Sequence, residues 1–273
     1  MSSIAVKDVE VTNSLIWFRN DLRINDHPGI NSALSISGKV IGFYCFNSSM
    51  FKMTNLGFPK IDKFRAKFLL ETIENLKEDL KKINVTLIIK IGDPVEELTK
   101  IISQQKIKNI FFQKEWTQEE VDEEDQLKSK CNDKNFKSFY SQFLYDPDDL
   151  DINNISNVFT NFRKHCEKKL KVKDLVESPK KLLDDNLLKD DYLIPSLSDL
   201  GLEDFEMDSR SAFKFKGGCN AAKERLDFYL WQSKKINFYK QTRNGLIGQD
   251  YSSKFSSWLS NGSISAREIF WEI

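Results

Sequence analysis

The 273-residue sequence is short of the two residue types that carry most metal ligation and base catalysis. It has only two histidines, His27 and His165, and four cysteines, Cys45, Cys131, Cys166 and Cys219. So few histidines argue against a multi-histidine metal centre and against chemistry built on a histidine base. The cysteines show no CxxC spacing, which argues against a zinc knuckle or a disulfide framework and for reduced thiols in a soluble, intracellular protein. No apolar run reaches the length of a membrane span, so no membrane partner is expected, and MSSIAVKDVE lacks a signal-peptide pattern. With Asp8, Glu10 and no arginine, that decapeptide also differs from a transit peptide, favouring cytoplasm or nucleus over an organelle. Neither GxGxxG nor GxxxxGK[ST] occurs, which excludes an ordinary dinucleotide or P-loop domain, and no internal repeat is present.

What is present is a core. Hydrophobic residues make up 40% and aromatics 12%, which excludes wholesale disorder, and the length suits one large domain or two modest ones. Compact apolar runs at 14–18, 39–46, 85–91, 108–112 and 136–140 suit buried strands. Helical patterns lie between them. In 62–83, Phe64, Phe68, Leu69, Ile73, Leu76 and Leu80 recur at helical spacing, and GDPVEELTKIIS reads as a turn, a proline at the helix start, then helix. Strands alternating with helices predict an α/β fold with a parallel sheet covered on both faces. From about 146 to 211 the chain holds one helix, SNVFTNFRKHCEKKL, and an acidic, leucine-punctuated stretch that reads as a connector laid over a surface. Beyond Phe213 the pattern is all helical: AAKERLDFYLW, INFYKQTRN, SSKFSSWLS, SAREIFWEI.

Net charge is zero, yet unevenly spread. Residues 174–208 hold eleven Asp and Glu against three Lys and Arg, while 210–273 hold eleven Lys and Arg against five acids. The basic end either faces a polyanion or is a solvated helix surface. Within it, DYSSKFSSWL places Ser252, Ser253, Lys254 and Ser256 around a helix start. If the helix begins at Ser252, then Ser252 and Ser256 share a face one turn apart. Spacing alone leaves two readings: an anion site of unpaired N–H groups and hydroxyls, or a serine-rich cap finishing its own helix. In WFRNDLRINDHP, after the first strand, Arg19, Asp21, Arg23 and Asp26 either face a cleft or neutralise one another as a salt-bridge lattice. KGG at 216–218 reads as a permissive turn, and the five tryptophans as core packing.

WFRNDLRINDHP resembles the opening signature of the photolyase/cryptochrome family. FKGGCNAAKERLDFYLW, YKQTRNGLIGQDYSSKFSSWL and NGSISAREIFWEI resemble successive blocks of that family's flavin-binding domain. The YK-x-TRNG wording and VFTNFRK are most similar to DASH-type cryptochromes. Ser257 stands where the family usually has proline, and Asn261 and Ser263 replace its common apolar or small residues. The resemblance implies a Rossmann-like α/β antenna domain over 13–145, a linker over 146–211, and over 212–273 the start of an all-α domain for flavin adenine dinucleotide (FAD). Family members continue through further helices that carry most of the flavin cup. The chain therefore reads as truncated and is expected to bind flavin weakly or not at all.

By position, Ser252, Ser253, Lys254, Phe255 and Ser256 match the family's FAD-phosphate segment. Tyr239 matches an upstream tyrosine at the cofactor, or is an aromatic on a buried helix face. Glu115, in FFQKEWTQEEV, matches the carboxylate that contacts the pterin of a folate antenna (5,10-methenyltetrahydrofolate), or is a solvent-facing acid at the start of an acidic helix. No tryptophan is assigned an electron-relay role. For a whole family member the resemblance implies blue-light-driven electron transfer from reduced FAD to cyclobutane pyrimidine dimers, associated in DASH-type members with single-stranded DNA. Its alternatives are a flavin photoreceptor that repairs nothing, or a non-catalytic fragment.

Overall fold

The computed structural model describes residues 12–36 and 38–273, so the acidic first decapeptide lies outside the described residues. Five parallel strands, β1 (Asn13–Trp17), β2 (Val40–Asn47), β3 (Thr86–Gly92), β4 (Ile107–Gln113) and β5 (Asn135–Phe139), form one sheet in the order β3-β2-β1-β4-β5. All five apolar runs become strands, each within one residue of its expected bounds. β1 is central because its apolar residues are wanted on both faces. Leu15 pairs with Ile41 on one side and Ile110 on the other. Successive strand side chains point to opposite faces. Ile16 accordingly joins one core with α1 (Pro28–Leu34) and α2 (Lys63–Lys82). Leu15 and Trp17 join another with α3 (Pro94–Gln104) and α4 (Gln118–Lys130).

The helix boundaries follow local chemistry. Asp62 caps α2, its side chain accepting from the Lys63 N–H, and Lys81 and Lys82 fill the last turn. Asp93 caps α3 by accepting from the Glu96 N–H, with Pro94 at the first position, where a missing N–H costs nothing. Along α3, Val95, Leu98, Ile101 and Ile102 are buried, each contributing roughly 1.5–3 kcal/mol by leaving water. On α2 the expected apolar face is only partly internal. Ile73, Leu76 and Leu80 are buried, whereas Phe64 is 58% exposed and meets Phe205 of the linker, ring centroids 4.5 Å apart.

The linker is more than a surface connector. It carries α5 (Phe159–Lys169) and several short 3-10 turns, and it sends Leu197 and Leu200 into the core shared with α2. Buried Asn186 accepts from the Val40 N–H (2.8 Å) and donates to the carbonyls of Val40 (2.9 Å) and Asn84 (2.7 Å). A strap that satisfies backbone groups at the sheet's end belongs to the α/β unit energetically.

Beyond it come α6 (Cys219–Asp227), a π-helical turn over Phe228–Gln232, α7 (Tyr239–Thr242), α8 (Ser256–Asn261) and α9 (Ala266–Glu272). All but α7 share a core of Ala222, Leu226, Tyr229, Phe255, Trp258 and Ile264. Two expectations fail here. The helix expected over 236–244 shrinks to a 3-10 turn and the four residues of α7, because that stretch lies exposed and packing supplies most helical stability. The helix expected from Ser252 starts four residues later, because Lys254 holds a left-handed φ of 64° that no α-helix tolerates. α9 starts with a capping box between Ser265 and Glu268. Past it, Phe270, Trp271 and Ile273 remain exposed.

Candidate functional site

The serine segment is a loop, so Ser252 and Ser256 do not share a helix face, and a six-residue α8 supplies little dipole. What orders the loop is Arg225 of α6, only 4% exposed. Its Nε donates to the Ser253 carbonyl (3.0 Å), and its Nη2 to those of Ser252 (3.0 Å) and Gln249 (3.3 Å). Nη1 donates to Asp250 Oδ1 at 2.7 Å. The guanidinium sits over Phe215, Tyr229 and Phe228, 4.8, 5.2 and 5.4 Å from their ring centres. Among the described residues, the N–H groups of residues 251–255 and the hydroxyls of Ser252, Ser253 and Ser256 have no hydrogen-bond partner, and no side chain caps α8. The Lys254 ammonium lies 3.6 Å from the Tyr251 ring centre. Phe255 is buried and anchors the segment in the helical core. A set made of donors and one cation suits an anionic diphosphate.

Tyr239 is 41% exposed and so is not on a buried helix face. Its turn is held beside the loop by Thr242, whose hydroxyl donates to the Tyr251 carbonyl at 2.9 Å. The KGG turn reads as expected: Gly218 has φ of 95°, and its N–H donates to the Thr72 hydroxyl (3.0 Å). Of the eleven basic residues after 209, four are committed to acids: Arg210 to Asp208, Lys223 to Glu268, Arg225 to Asp250 and Arg267 to Asp26. That leaves seven (11 − 4) for any phosphate-facing surface.

The charges of the first loop form no local lattice. Arg19 lies over Trp17 (4.5 Å) and donates to the Glu120 carbonyl (2.9 Å), lining the crevice beyond β1 where the strand order reverses. Asp21 pairs with His27 (2.9 Å), whose other ring nitrogen accepts from the Ile30 N–H to cap α1. Buried Arg23 donates to the carbonyls of Asn25, Asp26, Ser141 and Gly262, all at 3.0 Å. Asp26 takes both arms of Arg267 at 2.8 and 3.0 Å. Arg19, Arg23 and Asp26 thus tie the loop to other elements, while Asp21 braces it from within through the Arg19 N–H and His27.

Glu115 precedes α4 and is half-buried, not solvent-facing. Its Oε1 accepts from Gln113 (3.0 Å) and Asn20 (3.1 Å), and desolvation pushes its pKa up despite both bonds and the nearby Arg19. With Oε1 engaged twice, Oε2 is the oxygen left for a ligand. The tryptophans divide: Trp17 and Trp258 are buried, while Trp116, Trp231 and Trp271 are half-exposed, contrary to uniform core packing. Sequence reasoning missed Arg225. Its signal was position, on the same helical side as Ala222, Leu226 and Tyr229.

The model of the DNA photolyase family matches residues 14–181. The chain belongs to that family. Among its curated relatives of DASH type, the Gloeobacter violaceus cryptochrome DASH is 39% identical over 259 residues, covering 93% of this chain and 52% of the relative. The Arabidopsis thaliana protein described as cryptochrome DASH, chloroplastic/mitochondrial, is 34% identical, covering 100% of this chain and 49% of the relative. The chain thus spans about half the length of the curated relatives it matches. The crystal structure of the Synechocystis cryptochrome superposes with a TM-score of 0.89 at 35% identity, over 96% of this chain and 55% of that one. An archaeal photolyase from Sulfolobus tokodaii, described with two FAD molecules, shares the fold at a TM-score of 0.66 and 20% identity, over 96% of this chain and 54% of that one. Among the described residues no helix is long and apolar enough to cross a membrane.

Proposed function

We propose that this chain forms the antenna domain, linker and first flavin-domain helices of a DASH-type cryptochrome/photolyase, with bounds near 13–145, 146–211 and 212–273. The observation that carries this reading is the loop of Ser252, Ser253, Lys254 and Ser256, whose unpaired N–H groups, hydroxyls and ammonium stand where the family resemblance expects the FAD phosphates. Its unpaired N–H groups and hydroxyls would hold the diphosphate, Lys254 would add formal charge, and Phe255 would fix the segment from beneath. Tyr239 would close the loop's open side. When bound, reduced FAD supplies the electron that splits a cyclobutane pyrimidine dimer under blue light. Single-stranded DNA is the favoured partner, since a dimer there leaves the stack at little cost. The exposed basic residues after 209 would track its backbone. A folate-type antenna is the second cofactor of this reading, with Glu115 Oε2 facing its pterin. A DNA partner would require an intracellular location.

The test has two arms. FAD affinity is measured by titration for the chain and for the triple variant Ser252→Ala, Ser253→Ala, Ser256→Ala, with a loss of about tenfold or more expected. Flavin-loaded protein is then illuminated with oligonucleotides carrying one thymine dimer. Dimer loss faster from single strands than from duplex supports the repair reading. Flavin photoreduction with every dimer intact points to a photoreceptor.

A further inference from the structure

We infer that Arg225 is a positioning residue for phosphate binding: it turns the loop's carbonyls inward and so aims its N–H groups outward. The inference rests on the flavin reading above, and its mechanism is peptide geometry. A trans peptide unit is planar, with its C=O and the following N–H on opposite sides. The carbonyls of Ser252 and Ser253 both point at the Arg225 guanidinium. The N–H groups of Ser253 and Lys254 therefore face the other way, side by side. The Gln249 carbonyl, also held by Arg225, sends the Asp250 N–H outward in the same manner. With Lys254 left-handed at φ of 64°, the two adjacent N–H groups form the kind of concave nest that receives an anion.

An arginine is suited to this task. Its rigid fork reaches three carbonyls and one carboxylate at once, which a lysine's single ammonium cannot. Three aromatic rings pack around the guanidinium, which is itself buried, so its bonds are made on a largely screened side. Asp250 pairs with the guanidinium, leaving Lys254 as the loop's own cation. Arg225 touches no ligand in this scheme; it acts through the loop.

The test compares the chain with Arg225→Gln and Arg225→Lys by calorimetric titration with ADP, FAD and riboflavin, recording thermal melts alongside. The expected result is a rise of about tenfold or more in Kd for ADP and FAD in R225Q. R225K should lose less, and riboflavin, which has no phosphate, should show no change. R225K also serves if R225Q does not fold. Unchanged ADP and FAD binding in a folded R225Q or R225K overturns the inference, as does an equal loss for riboflavin. If the unaltered chain takes neither ADP nor FAD, the flavin reading falls, and tryptic cleavage after Lys254 judges Arg225 separately. Cleavage much faster in R225Q than in the unaltered chain then supports the anchor, and an equal rate overturns it.

Discussion

Arg23 shows how a buried charge can be structural without a carboxylate bound to it. Burial lowers its pKa, against Glu268, Asp26 and Asp21, which raise it, and its direct partners are four carbonyl oxygens. Truncation strands those acceptors away from water. Arg23→Ala is expected to cost about 3–5 kcal/mol, read from the urea midpoint. Glu115 poses the opposite case. Its folded pKa lies above its unfolded value, so between the two the folded state holds more protons and stability falls as pH rises through that window. Glu115→Gln keeps an acceptor for Gln113 and Asn20 while removing the buried charge. The variant should be more stable than the parent at pH 7 and equal to it near pH 4, a difference checked by melts across that range.

Among elements, the junction between α8 and the first loop carries the docking of the late helices. Gly262 ends α8 at φ of 71°, and an added Cβ would lie 2.1 Å from the Asn20 carbonyl and 2.6 Å from Asp21 Cα. Gly262→Ala should therefore cost more than the roughly 1 kcal/mol that glycine's freedom alone carries. Fluorescence of Trp258, fully buried in that layer, should report undocking before the sheet melts. The strands, α2 and α3 were legible in the sequence because their signals are local: apolar runs, Asp62, and Asp93 followed by Pro94. The rest depends on partners far along the chain. Leu197 and Leu200 stand in an acidic stretch that looks solvated until α2 receives them, and nothing in a lysine announces the left-handed turn at Lys254. Of the candidate site, the serines were visible by resemblance. The loop conformation was not, because Arg225 imposes it from another helix.

For the whole molecule, the proposed flavin loop is walled mainly from the Arg225 side, while its neighbours Leu246 and Ile247 are 87% and 94% exposed. Contacts on one side of a dinucleotide leave most of its surface wet, so affinity stays low. The 273-residue chain is expected to lose its flavin on gel filtration, and a yellow eluate with stoichiometric FAD would refute this. The clasp between the first loop and the last helices has another consequence. Arg23 and Asp26 bond to Gly262 and Arg267, 239 and 241 residues further on. On the ribosome the first loop emerges long before Gly262 and Arg267, so the last acceptor of Arg23 and the cation that pairs with Asp26 arrive late. The sheet can therefore form first, and the clasp closes only when the late helices arrive to dock on it.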